Sequence, residues 1–175
     1  MTVQTLASDD IHTTASFAIR HSGVSDYRAS FNDVHATLVT GDAPQLSGAV
    51  DVASLQVKNE NLYGHLMSPE FFDAENHPQI TFTSTGIQRG ADGAVALEGD
   101  LTLRGVTQPV RATGTWSEVE ADITGAPRIG IDLEAAIDRT AFGMAWNAPL
   151  AGGETVLGDD VALLVHVEFA APAAA

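Results

Sequence analysis

Histidine is the residue type that most readily suggests chemistry in this sequence, because its ring nitrogens bind metals and transfer protons. The chain has six histidines and no cysteine. No two of them have the spacing of an HExxH helix or of a paired zinc motif. We therefore predict no metal or haem site and expect structural or surface roles for these residues: His12, His21, His35, His65, His77 and His166.

Hydrolytic chemistry would require a serine, a histidine and an acid in mutual contact. The sequence has no G-x-S-x-G turn to present such a serine. The absence of cysteine also excludes thiol catalysis and disulfide bonds. We therefore predict no catalytic residue and no required cofactor.

Among the arginines, Arg139 has the most suggestive neighbours. It precedes the aromatic run "AFGMAW", whereas Arg104, Arg111 and Asp138 lie near predicted strand ends or turns. Exposed ion pairs at such positions stabilise a protein very little. We expect Arg139 to contact the polar head group of a ligand.

Apolar and polar residues alternate along most of the chain, which predicts β-strands with one dry and one wet face. The clearest alternation is in "IHTTASFAIRH", "AVALEGDLTLRG" and "VALLVHVEF". Together with "TFTSTGIQ", "RIGIDLEAAID" and segments 27–40, 48–57 and 109–120, these make roughly eight strands separated by turn signals.

One face of the clear strands should line the interior of the protein. A register slip of one residue would expose this whole apolar set, so the polar residues Glu98, Asp100 and Arg104 should lie outside. The residues predicted to face inward are Phe17, Ile19, Val95, Leu97, Leu101, Leu103, Val161, Leu163, Val165 and Val167.

An antiparallel sheet of this size removes its exposed edges by closing into a barrel. We therefore predict an all-β fold, an antiparallel eight-stranded lipocalin-like barrel with short helical segments over its mouth. The chain of 175 residues suits one domain, 1–175, with its core at about 11–170 and short flexible termini. A barrel of this width is either filled by side chains or holds one small ligand.

Two segments, 59–75 and 138–150, interrupt the strand pattern. Ser68 followed by Pro69 predicts the start of a short helix, and Thr140 is a candidate cap for a single turn. The pair Phe71 and Phe72 should form a plug over the barrel mouth, and its removal should weaken ligand retention more than folding. The alternative is that the aromatic residues simply pack in the core.

The charge balance restricts the partners. The formal net charge is -15, which disfavours binding to nucleic acid or to an anionic membrane surface. The first residues lack the features of a signal peptide, and no apolar run is long enough for stable membrane insertion. We therefore expect a cytoplasmic protein with a hydrophobic small-molecule ligand, and the sequence is compatible with a homodimer.

Four stretches of the sequence are similar to those of the YceI-like proteins, a family named for a periplasmic polyisoprenoid-binding protein. They are "SFAIRHSGVSDYRASF", "HLMSPEFFDAENHPQITFTST", "LEGDLTLRGVTQPV" and "IDRTAFGMAWN". The resemblance extends from about Ile11 to Phe169. It implies an extended lipocalin-like barrel whose apolar tunnel holds a long isoprenoid or another amphiphile. Leu62 and Tyr63 replace an Arg-Asp pair common in the family, which implies a more apolar entrance.

Composition alone leaves open whether the barrel is filled or hollow, because only 6% of the residues are aromatic. The resemblance favours a carrier for an isoprenoid quinone, polyprenyl chain or similar lipid with a neutral head group. A lipid-metabolising enzyme and a ligand-free structural or stress protein remain alternatives. The residues expected at the ligand are Phe17, Ile19, Phe31, Leu66, Phe71, Phe72, Phe82, Leu97, Leu101, Leu103, Trp116, Phe142, Trp146 and Val165, with Arg139 at the head group.

Overall fold

The computed structural model describes residues 3–170, so the outermost parts of the predicted flexible termini lie outside the described residues. Within this range all the strands belong to one sheet, in the order β1-β4-β5-β7-β8-β9-β10-β11-β2-β3-β6. The strands are β1 Thr5–Ala7, β2 Thr14–His21, β3 Ser25–Phe31, β4 Val34–Val39, β5 Gln45–Asp51, β6 Leu55–Gln56, β7 Gln79–Arg89, β8 Ala94–Leu103, β9 Val106–Val119, β10 Arg128–Asp138 and β11 Leu157–Ala170.

The sheet has 11 strands and curls into a half-barrel, so the predicted eight-stranded barrel is wrong. The predicted strand 27–40 divides at Asn32 and Asp33, where the chain turns from β3 into β4. The predicted strand 48–57 divides where a 3₁₀ turn, Val52–Ser54, separates β5 from β6. The three-residue strand β1 is too short to give an alternation signal.

All neighbouring strands pair antiparallel, as the sequence predicts. The sheet curls until the chain just after β1 meets the end of β11, where Ser8 and Phe169 form an isolated bridge. The N–H of Asp9 also donates to the carbonyl of Glu168 over 2.7 Å. These contacts cover part of the exposed edge that an open sheet would otherwise present.

The β8–β9 hairpin illustrates how the register positions the inner face. Its two-residue turn, Arg104 and Gly105, has positive φ at both positions (53° and 72°), which matches the twist of the flanking strands. Leu101 and Leu103 are consequently buried, whereas Asp100 on the other parity is exposed. Arg104 is partly buried and donates to the carbonyl of Gly143 over 2.9 Å.

The helix over the sheet, α1, spans Glu60–Met67 and therefore ends where the sequence predicts that it begins. Asn59 caps its start by accepting a hydrogen bond from the N–H of Leu62 over 2.9 Å. Ser68 is the C-cap, because a residue before proline is disfavoured in helical conformation. No helix within residues 3–170 is long and apolar enough to cross a membrane.

Candidate ligand-binding cavity

The inner face of the curled sheet and the segments over it enclose a cavity of about 380 Å³, lined mainly by apolar side chains. Its walls come from the inward-facing parity of the strands and from α1 and the turns that follow it. The predicted inward-facing residues Val161, Leu163 and Val167 also line it. The predicted site residues that line the cavity are Phe17, Ile19, Phe31, Leu66, Phe71, Phe72, Phe82, Leu97, Leu101, Leu103, Trp146 and Val165.

Two predicted ligand contacts, Trp116 and Phe142, lie away from the described cavity lining. Trp116 is buried at the opposite end of the sheet, where its indole N–H donates to Glu118 over 2.6 Å. The guanidinium of Arg89 lies 4.2 Å from the centre of the indole ring. Phe142 is 2% exposed, at the end of the 3₁₀ turn Arg139–Phe142. Residue type alone does not reveal how deep along the barrel an aromatic side chain lies.

The buried side chains form two clusters, one at each end of the sheet. The cavity-end cluster contains Ala15, Ile19, Ala29, Phe31, Val34, Val52, Leu55, Leu66, Phe71, Phe72, Leu101, Leu103, Ile137, Phe142, Met144 and Val161. The filled-end cluster contains Leu6, Ala36, Leu38, Leu46, Val95, Leu97, Ala112, Trp116, Ile131, Leu133, Val167 and Phe169.

The cavity stops against the filled-end cluster. Leu97, Leu133 and Val167 belong to that cluster and still line the cavity, whereas Leu38 and Phe169 lie outside the lining and are completely buried. Phe82 and Val165 are partly buried and pack against both clusters. The cavity is therefore covered by α1 at one end and bounded by packed side chains at the other.

We call α1 and the turns that follow it the helical cover. Phe71 is at the centre of its aromatic contacts. Its ring lies 5.4 Å from that of Trp146 and 4.9 Å from that of His65. The rings of His65 and Trp146 also meet edge to face at 4.8 Å. His65 is held in place by Glu70, whose carboxylate lies 2.7 Å from Nε2. This aromatic group joins α1 to the segment after the second 3₁₀ turn.

Phe72 points the other way, into the sheet. Its ring packs edge to face on Phe31 at 5.8 Å and on Phe17 at 6.3 Å. Phe71 and Phe72 are only 7% and 8% exposed, so they are as buried as strand residues. The pair is apolar because both rings are packed against other side chains. The ring of Phe71 packs within the cover, and the ring of Phe72 packs on the inner wall of the sheet.

Arg139 lines the cavity but is committed to the protein itself. Nε donates to the carbonyl of Gly158 over 2.8 Å, and Nη1 donates to the carbonyls of Met144 and Trp146. Nη2 donates to Asp159 over 3.0 Å. Four of the five N–H bonds of a guanidinium are thus used, and the side chain is 2% exposed. The geometry gives Arg139 a structural role and leaves little capacity for the expected head-group contact.

Asp138, rather than Thr140, caps the turn that carries Arg139. Its carboxylate accepts hydrogen bonds from the backbone N–H of Thr140 over 2.8 Å and from the hydroxyl of the same residue over 2.6 Å. These bonds hold the pKa of Asp138 below its usual range. The cap fixes where the turn starts and therefore where Arg139 enters the structure.

Sequence reasoning missed several polar residues that line the cavity, among them His21 and Tyr27. His21 continues the inward parity of Phe17 and Ile19 on β2, and Tyr27 pairs with Ile19 across β3. The alternation could have identified His21. Tyr27 required the register of the β2–β3 pair, which the sequence does not state.

An ionic cluster lies outside the cavity, where the two ends of the described chain meet. Arg128 bonds to Asp9 over 2.6 Å and to Asp122 over 2.8 Å. Hydrogen bonds from Arg128 and then from His12 lower the pKa of Asp9 to about 2. Asp9, His12 and Glu168 bring potential metal-ligand atoms within 4.8 Å of one another, but Arg128 already supplies the positive charge there.

Comparison with known proteins places these features in a family. The YceI-like domain model matches residues 7–169. A UPF0312 protein of Pectobacterium atrosepticum is 30% identical over 161 residues, which is 90% of this chain and 80% of the relative.

Two solved structures have the same fold at low sequence identity. The crystal structure of BcnA from Burkholderia cenocepacia superposes with a TM-score of 0.77 at 20% identity, over 92% of this chain and 98% of the other. A polyisoprenoid binding domain from Saccharophagus degradans, implicated in plant cell wall breakdown, superposes with a TM-score of 0.72 at 13% identity. That match covers 98% of this chain and 100% of the other.

Proposed function

The chain belongs to the YceI-like family, and on this basis we propose that it is a binding or carrier protein for a long-chain isoprenoid or similar amphiphilic lipid. The observation that carries the proposal is the apolar cavity of about 380 Å³ behind the helical cover. This volume lies within the range of pockets that bury small molecules, roughly 300–1,000 Å³. The name of the Saccharophagus neighbour supports a polyisoprenoid as the kind of ligand.

Burial of the apolar tail supplies the binding free energy in this proposal. Each methylene group removed from water contributes about 0.8 kcal/mol. The lining side chains that remain partly exposed, such as Phe17, Leu163 and Val165, are the surface that a tail would cover. Because these contacts are apolar, affinity should depend on tail length and hardly on salt.

A carrier is favoured over an enzyme by the character of the cavity walls. Catalysis on a lipid needs several polar groups directed at one reacting atom. Arg139, the buried polar side chain at the cavity, and His65, which lies in the helical cover, are engaged with protein partners at 3.0 Å or less. We therefore assign the cavity to binding, with a neutral head group such as a quinone ring or an amide.

Native mass spectrometry of the protein purified from its own cells would test the proposal. We expect an added mass that disappears after extraction with organic solvent and returns when the extracted lipid is added back. The control is a Leu101→Trp variant, which places a bulky ring in the cavity at a lining position. A protein that carries no lipid in its own cells and takes up no isoprenoid or fatty chain after extraction would refute the carrier function.

A further inference from the structure

Few polar side chains point at the cavity, either from the inward face of a strand or from the segments that cover the sheet. They are His21, Tyr27, His65 and Arg139. The other polar lining residues, such as Ser16 and His35, lie on the outward parity of their strands, beside the inward-facing Phe17 and Val34. The four inward groups are therefore the candidates for contact with the polar end of a ligand.

Two of the four already have hydrogen-bond partners in the protein. His65 is paired with Glu70 at 2.7 Å, and Arg139 is held by three backbone carbonyls and Asp159. Within residues 3–170, neither the imidazole of His21 nor the hydroxyl of Tyr27 has a hydrogen-bond partner. These two groups are free to bind a ligand atom.

The strand register brings the two free groups together at the cavity mouth. Ile19 pairs with Tyr27 and His21 with Ser25, so His21 and Tyr27 are diagonal neighbours on one face of the β2–β3 pair. Diagonal neighbours in an antiparallel pair are about 7–8 Å apart, within reach of a shared ligand atom for long side chains. His21 also pairs with Leu157 on its other side, which continues the lining to β11.

We propose that His21 and Tyr27 form the head-group subsite and bind a neutral oxygen-bearing group, such as a carbonyl, amide or hydroxyl, at the end of an apolar chain. The proposal rests on the proposed function, because the subsite is only useful if the tail occupies the cavity. Burial raises the pKa of Tyr27, so its hydroxyl remains a hydrogen-bond donor at neutral pH. The imidazole of His21 donates or accepts according to its tautomer.

The surrounding charges favour a neutral head group over a phosphate. Arg20 and Arg28, the nearest cations on the two strands, are each 3.4 Å from a carboxylate oxygen of Asp26. Glu154 lies against Gly23, in the turn that joins the strands, where it would repel an anion. A phosphate would therefore find the nearby arginines already paired with Asp26 and would be repelled by the carboxylate of Glu154.

The two tyrosines of the chain give a matched test. Tyr27→Phe removes the proposed donor, whereas Tyr63→Phe removes a hydroxyl that donates to the carbonyl of Ala53 over 2.9 Å and lies outside the cavity lining. Dodecanamide and dodecane, which have the same number of carbon atoms, compete with Nile red bound to the delipidated protein. We expect wild-type protein to prefer the amide by about two- to tenfold, the effect of one or more neutral hydrogen bonds.

Tyr27→Phe should remove most of that preference, while Tyr63→Phe should retain it. His21→Leu should also reduce it. Equal binding of both ligands by the wild type would overturn the subsite but leave the carrier function standing. A preference that survives in the Tyr27→Phe/His21→Leu double variant would place the head group elsewhere. Failure of both ligands to displace the dye would overturn the subsite together with the carrier function.

Discussion

The two ends of the half-barrel are built from the same alternating strands but are buried in different ways. At the filled end, side chains from opposite walls meet, and Leu38 and Phe169 are 0% exposed. At the cavity end the walls do not meet, and a helix and its aromatic side chains cover the space between them. The alternation therefore specifies which face is dry, whereas the lengths of the inward side chains and the covering segments decide whether that face is packed or hollow.

A matched pair of phenylalanines should show the largest difference between the ends. Phe169→Ala opens a void in the completely packed cluster and should lower the free energy of unfolding by about 3–5 kcal/mol. Phe17→Ala should cost less stability, because its ring already faces the cavity, but it should weaken ligand retention. Urea denaturation of the delipidated variants measures the first effect, and lipid content measures the second. Equal losses of stability would mean that the cavity end is packed as tightly as the filled end.

Truncation of the two phenylalanines of the cover should have unequal effects on stability and on ligand release. Phe72→Ala removes contacts with Phe17 and Phe31 in the wall, so we expect a stability loss below that of Phe169→Ala but clearly measurable by thermal unfolding. Phe71→Ala removes contacts within the cover itself and should mainly speed ligand release, which stopped-flow exchange with a fluorescent lipid would detect. Faster release from Phe72→Ala than from Phe71→Ala would contradict this division.

Arg139→Met should destabilise the cavity end without changing ligand selectivity. The carbonyls of Met144, Trp146 and Gly158 would lose their donor, and each buried carbonyl left without a partner costs about 1–3 kcal/mol. Arg104→Met is the control, since Arg104 donates to one carbonyl, that of Gly143. Chemical denaturation and competition between a polyprenyl pyrophosphate and a quinone of equal tail length separate the two roles. A selective loss of pyrophosphate binding in Arg139→Met would restore the head-group role.

Acid should destabilise the filled end before the cavity end. We expect this effect to be smaller than those of the substitutions above. The pKa of Asp9 is lowered to about 2 by Arg128 and His12, below its ordinary value of 3.8. Its contribution to stability is therefore complete above about pH 4 and is lost as the pH falls through about 2. Arg128→Gln should raise the pH midpoint of acid unfolding, whereas Arg89→Gln, which removes another ion pair, should shift it less. Equal shifts would show that acid sensitivity is not localised at this cluster.

The longer strands and their inward faces followed from the sequence because each depends on local alternation. The division of the strand predicted at 27–40 did not follow from the sequence. The chain turns at Asn32 and Asp33 because β4 pairs with β5 and β1, and these partners are distant from β3 in the sheet. The start of α1 was misplaced because Ser68 followed by Pro69 is equally typical of a helix end. The protein partners of Arg139 could not be predicted, because its four acceptors lie on segments brought together only by the fold.

The bridge between Ser8 and Phe169 also constrains the order in which the protein folds. The β7–β8–β9–β10–β11 meander pairs strands that are neighbours in sequence, so its contacts are local and it can form early. The bridge joins residues separated by almost the whole described chain, and the entropy of closing so long a loop is paid before its contacts form. The bridge and the pairing of β2 with β11, which closes loops of similar length, should therefore be among the last contacts to form during folding.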